Sequence, residues 1–90
     1  MTIARRFFVS GRVQGVFFRA FTRDVALRQR LSGTVRNLSD GRVEAYAEGP
    51  AEALDAFERE LRAGPPSARV DEVDTRVETP SGARDFRITG

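Results

Sequence analysis

The sequence contains no cysteine, no histidine and no lysine among its 90 residues. Without cysteine there is no disulfide, no thiolate nucleophile and no zinc–sulfur site. Without histidine the commonest general base and the commonest metal ligand are missing. The absence of lysine excludes a Walker-type phosphate loop, a Schiff base and a lysine general base. Any catalysis must therefore use carboxylates, hydroxyls, amides, arginines or groups of the substrate itself.

The chain also lacks a large excess of either positive or negative charge. All 15 basic residues are arginines, and 13 acidic residues leave a net charge of only +2. Arginine alone explains the isoelectric point near 10.3, because guanidinium groups lose their proton only at very high pH. No run of five like charges occurs. The high isoelectric point is therefore a poor argument for nucleic-acid binding.

Long hydrophobic runs are absent as well. Uncharged apolar stretches such as residues 16–18 are far too short to span a membrane. The N-terminal sequence MTIARRFFVSGR lacks the continuous apolar segment of a signal peptide. A chain of this length is typical of one domain. We therefore expect residues 1–90 to form a single domain of a monomeric cytoplasmic protein, with no membrane partner.

The N-terminal half switches between strand and helix periodicity. Residues 3–10 predict a central strand, because Phe7 and Phe8 fall on opposite faces. Helical spacing follows from Phe17 or Phe18 to about residue 30. Residues 34–38 and 43–48 predict two strands joined by a turn at residues 39–41. The apolar stripe of the helix comprises Phe21, Val25 and either Leu27 or Arg28. In the third strand, one face is expected to be exposed to water, and it carries Glu44, Tyr46 and Glu48.

The C-terminal half begins with the best helix in the chain, which starts after Gly49-Pro50 and ends at residues 64–66. Residues 70–77 predict a strand with a bulge near residues 71–72. Residues 84–89 predict a final strand with Phe86 and Ile88 pointing inward. The order β-α-β-β-α-β plus a short final strand is the ferredoxin-like, or split βαβ, plan. We expect an α+β fold with an antiparallel sheet and two helices on one face.

The loop between the first strand and the first helix is the first candidate site. Gly15 permits a crowded or left-handed backbone, and successive N–H groups at a helix N-terminus form an anion-binding nest. Arg19, in the first turn of the helix, could hold two oxygens of the same anion. On these residues alone, an ordinary loop and a solvated arginine remain the simpler interpretation. Phe17, Phe18 and Phe21 are expected to pack in the core.

Asn37 is the second candidate, in the sequence GTVRNLSDG of residues 33–41. An asparagine beside Ser-Asp-Gly is most often a turn former. The functional alternative is a side-chain amide that holds a water by donating and accepting hydrogen bonds at once. In a chain without histidine, a positioned water is a natural nucleophile.

Together the two segments resemble the paired signature of the acylphosphatase family. They read GRVQGVFFR (residues 11–19) and GTVRNLSDGRVE (residues 33–44), and the resemblance continues through YAEGP, GPPSARV and a final FRI. It covers nearly the whole chain. One departure is Arg30-Leu31, where family members often carry Gly-Leu. The resemblance implies hydrolysis of the carboxyl–phosphate bond of small acyl phosphates, without a metal or another cofactor.

The resemblance also implies roles for individual residues. Arg19 would bind the phosphate and Asn37 would orient the water. The backbone loop that cradles the phosphate would comprise Gln14, Gly15, Val16, Phe17, Phe18 and Arg19, with Gln14 and Val16 shaping its entrance.

Two other functions stay open from the sequence. A ferredoxin-like sheet with seven phenylalanines and many arginines could be a nucleic-acid-binding module. Against it, no RNA-binding aromatic signature follows the first strand, and acidic residues occupy the third, so we expect no nucleic-acid partner. An acylphosphatase-like domain could also serve within a carbamoyl-transfer or regulatory protein. A stand-alone hydrolase is the simpler expectation.

Overall fold

The computed structural model describes all residues from 1 to 90. The elements follow the predicted order. They are β1 (Ile3–Arg12), α1 (Phe18–Arg28), β2 (Ser32–Asn37), β3 (Val43–Gly49), α2 (Ala51–Ala63), β4 (Arg69–Glu78) and β5 (Phe86–Ile88). The strands form one sheet in the order β4-β1-β3-β2-β5. The first four pair antiparallel, while β5 pairs parallel with β2. The predicted ferredoxin-like α+β fold is confirmed, and the fifth strand makes the sheet mixed.

Both helices pack on the same face of the sheet and close one hydrophobic core. Phe7 and Phe57 are fully buried, and their rings meet edge to face with 5.4 Å between centroids. The predicted stripe of α2 is confirmed, since Leu54, Phe57 and Leu61 are all buried. Burial of such large apolar side chains contributes roughly 1.5–3 kcal/mol each, so this stripe holds α2 on the sheet.

The buried stripe of α1 differs in detail from the prediction. Its buried residues are Phe18, Thr22, Val25 and Ala26, and the helix ends at Arg28. Their spacing of four, three and one residues is that of a single helical face. Leu27 lies off that face and is 53% exposed, so the prediction that it could join the stripe is wrong.

The solvated face predicted for β3 is also wrong, because every residue of that strand is buried. Glu44 lies beneath the guanidinium groups of Arg6 and Arg36. Glu48 lies beneath residues 81–83, whose N–H groups donate hydrogen bonds to its carboxylate. The alternating pattern of β3 had predicted that the face carrying its charged residues is exposed to water. Instead, long arginine side chains and a loop that crosses the sheet cover that face.

The expected bulge in β4 is confirmed. Ser10 pairs with Glu72 but Gly11 pairs with Val70, which leaves Asp71 as the extra residue. A Cβ on Gly11 would lie 2.1 Å from the carbonyl oxygen of Arg69, so only glycine fits there. No helix is long and apolar enough to cross a bilayer.

The last strand is shorter than predicted, with three residues. Phe86 is buried as expected, but Ile88, on the same face of β5, is 42% exposed, so its expected burial is wrong. The position of β5 at the edge of the sheet, with a neighbouring strand on one side only, explains this exposure.

Candidate active site

The loop between β1 and α1 presents a row of unpaired backbone donors. No N–H group from residue 15 to residue 19 donates a hydrogen bond within the chain. Two residues of this loop have left-handed backbone angles, Gly15 with φ of +74° and Phe17 with φ of +63°. Alternation of left-handed and right-handed residues turns successive N–H groups toward one side, which creates an anion-binding concavity. The helix dipole of α1 adds partial positive charge at the same place.

Phe17 is the N-cap residue of α1, and its side chain is 83% exposed. The prediction that it packs in the core is therefore wrong, whereas Phe18 is buried and Phe21 is half-buried against the core. A bulky residue with positive φ is uncommon and costs conformational energy. Such strain is typical of functional loops. No sequence signal marked Phe17 apart from its position immediately before the helix.

Arg19 and Asn37 meet in one cavity of about 320 Å³. Both also donate to the same atom, since the main-chain oxygen of Gly90 accepts from the Arg19 guanidinium and from the backbone N–H of Asn37 at 3.2 Å. The cavity wall comprises Val13, Gly15, Phe17, Phe18, Arg19, Ala20, Asn37 and Ile88. Of the predicted site residues, Gly15, Phe17, Phe18, Arg19 and Asn37 thus lie together.

The topology explains how residues 18 positions apart converge. Asn37 is the last residue of β2, and Arg19 lies in the first turn of α1. The parallel partner β5 brings Ile88 beside Val35, so the chain that follows reaches Asn37. Ile88 was expected in the core, and its exposed position instead adds an apolar wall to the cavity.

Gln14 and Val16 do not line the cavity. The Gln14 amide donates hydrogen bonds to the carbonyl oxygens of Leu38 at 2.7 Å and Arg42 at 3.0 Å. Val16 is buried, and its carbonyl oxygen accepts a hydrogen bond from the Ser67 hydroxyl at 3.0 Å. The role of Gln14 and Val16 at the entrance of the phosphate cradle stays a prediction. Gln14 ties the loop to the β2–β3 hairpin, and Ser67 ties it to the start of β4.

The polar groups of the cavity have complementary chemistry. The free N–H groups and the guanidinium of Arg19 are donors suited to an oxyanion. The Asn37 side-chain oxygen is buried and accepts no hydrogen bond within the chain. A buried acceptor without a partner is costly, so it is suited to a donor such as a water molecule. One cavity thus combines donors suited to an oxyanion with the side-chain amide of Asn37.

Fold and cavity together define a class: a ferredoxin-like α+β protein with an oxyanion-binding loop at the start of its first helix. Comparison with known proteins narrows the class. A family model for acylphosphatases matches residues 5–88. The chain therefore belongs to the acylphosphatase family, and its activity is the hydrolysis of acyl phosphates.

Individual relatives agree with this assignment. An acylphosphatase of Rubrobacter xylanophilus is 56% identical over 84 residues, covering 92% of this chain and 76% of the relative. One from Natronomonas pharaonis is 51% identical over 81 residues, covering 90% of this chain and 88% of the relative. The crystal structure of acylphosphatase from Bacillus subtilis superposes with a TM-score of 0.95 at 38% identity, covering 98% of this chain and 99% of that one.

Proposed function

We propose that the protein hydrolyses the carboxyl–phosphate bond of small acyl phosphates in this cavity, without a metal ion and through Arg19 and Asn37. The N–H groups of residues 15–19 and the Arg19 guanidinium bind the phosphate oxygens. The Asn37 amide orients the attacking water. The observation that carries this proposal is the convergence of unpaired N–H donors, Arg19 and an unpaired Asn37 oxygen in one cavity.

The water oxygen attacks phosphorus while the bond between phosphorus and the acyl oxygen breaks. The carboxylate leaves with the electron pair of that bond. The proton of the water passes to an oxygen of the phosphate, which serves as base in a chain without histidine. Because a carboxylate is a good leaving group, the protein needs mainly to position the reactants and to stabilise charge on the transferring phosphoryl group.

The face of the sheet without helices gives little support to a nucleic-acid-binding function. Phe8 is the aromatic residue of β1 on that face, and the guanidinium groups of Arg42 and Arg76 lie 4.9 and 5.0 Å from its ring centroid. Bases that stack on protein need free aromatic faces. Arg6 on the same face is paired with Glu44 and Glu78. We propose accordingly that residues 1–90 act as one acylphosphatase-like domain; the cytoplasmic location and the monomeric state remain predictions.

The direct test follows the absorbance of benzoyl phosphate in the presence of excess EDTA. We expect hydrolysis at an undiminished rate after chelation, because the proposed donors are arginine and backbone N–H groups. Absence of hydrolysis at high enzyme concentration, with and without added divalent cations, would contradict the proposed substrate class. Activity that EDTA abolishes and Mg²⁺ restores would contradict the metal-free mechanism.

A further inference from the structure

A second groove runs beside the cavity, between α1 and β5. Its volume is about 690 Å³, and four arginines line it: Arg23, Arg30, Arg84 and Arg87. The only acidic residue in its wall is Asp85. No other part of the surface with a defined concavity is comparably basic, because the remaining groove, on α2, contains two acidic and two basic residues.

The charges of this groove are largely uncompensated. Arg87 pairs with Asp85 at 2.9 Å. Arg23, Arg30 and Arg84 have no carboxylate within 4.0 Å, although most arginines of the chain do. Three unpaired guanidinium groups around one concavity attract anions, and low-dielectric walls focus that attraction. Guanidinium groups also match the geometry of carboxylates and phosphates.

Arg30 contributes to the groove in an unfavourable conformation. Its φ is +57°, a left-handed angle that L residues seldom adopt. It follows the end of α1, where Leu31 N–H donates to the carbonyl oxygen of Ala26 at 2.9 Å. This is the Schellman arrangement, in which glycine usually occupies the left-handed position. Arg30 thus brings a guanidinium to the groove at a conformational cost that glycine would avoid, which is typical of functional positions.

The groove borders the cavity that contains Arg19. Ile88 lines both of them. Arg23 lies one helical turn after Arg19, which corresponds to about 6 Å along the helix axis. A ligand whose phosphate lies at Arg19 could therefore extend its other end to Arg23 without leaving the surface between α1 and β5.

We propose that this groove binds a second anionic group on the acyl part of the substrate, and so makes the enzyme prefer acyl phosphates that carry a distal carboxylate or phosphate. The inference rests on the proposed function, since it needs the transferred phosphate at Arg19. Arg23 contacts the near end of the anionic tail. Arg30 and Arg84 extend the site toward longer substrates.

The test compares succinyl phosphate with butyryl phosphate, which has the same four-carbon chain without the terminal charge. We expect kcat/KM to be about fivefold or more higher for succinyl phosphate at low ionic strength, the size of a few exposed ion pairs. The ratio should fall toward one in high salt because exposed charges are screened. Because the ratio compares kcat/KM for two substrates of the same variant, a general effect of a substitution on activity cancels.

Variants assign the preference to the groove. Arg23→Gln and Arg84→Gln should lower the ratio, whereas Arg59→Gln, an unpaired and exposed arginine on α2, should leave it unchanged. Arg30→Gly gives a distinctive signature. It should lower the ratio and at the same time raise the melting temperature, because glycine adopts the left-handed angle without strain.

The outcomes separate this inference from the proposed function. Hydrolysis of both substrates with a ratio near one would overturn the groove site alone. A preference for succinyl phosphate that all three groove variants retain would also overturn it. Failure to hydrolyse either substrate would contradict the proposed function, and the groove inference with it.

Discussion

Arg19 is the only cationic side chain in the wall of the cavity. We expect Arg19→Lys and Arg19→Ala to lower kcat for benzoyl phosphate about 10²–10³-fold, the usual cost of removing one preorganised donor to a transition-state oxyanion. Lysine keeps the charge but not the planar fork that holds two oxygens. The matched control is Arg28→Lys on the exposed side of the same helix. Wild-type rates in Arg19→Lys would contradict the two-oxygen role.

The backbone N–H of Asn37 donates a hydrogen bond to the main-chain oxygen of Gly90, whereas its side-chain oxygen accepts no hydrogen bond within the chain. Asn37→Ala should lower kcat about 10²-fold, because the attacking water loses its positioning partner. Inhibition by inorganic phosphate should change little, since the phosphate donors remain. Ser39→Ala, exposed on the same hairpin, is the control. A parallel loss of phosphate affinity would instead make Asn37 a phosphate-binding residue.

Among the elements, the β2–β3 hairpin is held against the loop before α1 by one side chain. Gln14 donates two hydrogen bonds to the hairpin carbonyls of Leu38 and Arg42. Gln14→Met keeps the volume but removes both donors, so the hairpin that carries Asn37 is less firmly positioned. We expect kcat to fall about tenfold, as a small displacement of a positioning group does, and stability to fall by about 2 kcal/mol.

The measurement for Gln14→Met is a comparison of kcat with phosphate inhibition at a temperature where the variant is fully folded. A positioning role predicts a loss in kcat with little change in inhibition. The control is Gln29→Met at the end of α1, whose side chain donates no hydrogen bond within the chain. A loss of stability with an unchanged kcat would leave Gln14 a structural residue and contradict the positioning role.

Helices and strands with one clear hydrophobic periodicity could be predicted from the sequence. An element whose burial depends on residues far away in the chain could not. The stripe of α2 and the bulge of β4 follow from local spacing alone. In β3, alternating Glu44, Tyr46 and Glu48 indicated a solvated face. The residues that bury them come from β1, β2 and the segment after β4, far away in the chain. Local pattern does not contain that information.

The candidate site shows the same division. Arg19 and Asn37 were candidates from the residues alone, their roles came from the family resemblance, and the structure brings them to one cavity. The exposure of Phe17 and Ile88 was not predicted, because both are large apolar residues that usually lie in the core. Their positions depend on a left-handed N-cap and on the position of β5 at the edge of the sheet, neither of which has a sequence signature here.

At the scale of the whole molecule, the chain must connect opposite edges of the sheet after β4. The strand order places β4 at one edge and β5 at the other. The connection crosses the face without helices and is fixed there by Glu48 of β3. Its carboxylate accepts hydrogen bonds from the Tyr46 hydroxyl at 2.6 Å, from the backbone and hydroxyl of Ser81, each at 2.7 Å, and from two further N–H groups. This anchor thereby also positions β5 and its end of the cavity.

The Glu48 anchor predicts how stability depends on pH. Burial alone would raise the pKa of the Glu48 carboxyl, but the hydrogen bonds from Tyr46, Ser81 and Ala83 outweigh burial and lower the pKa from 4.5 to about 2. A carboxyl with a lower pKa in the folded state stabilises the fold fully above its unfolded pKa. That contribution is lost as the pH falls from about 4.5 to about 2. With no histidine in the chain, we expect little change between pH 6 and 8.

Urea unfolding of wild type and Glu48→Gln at pH 7, 4 and 3 checks this prediction. At pH 7 the variant should be less stable by about 2 kcal/mol, because hydrogen bonds to a charged acceptor are lost and buried donors remain. The difference should shrink toward pH 3, since Glu48 of the unfolded wild type takes up a proton below its pKa of 4.5 while the folded carboxyl, with a pKa of about 2, is still ionised. Glu72→Gln, exposed on β4 without a salt-bridge partner, is the control and should follow the wild-type curve. If the stability difference between wild type and Glu48→Gln is the same at all three pH values, the charge of Glu48 is not what fixes the crossing segment.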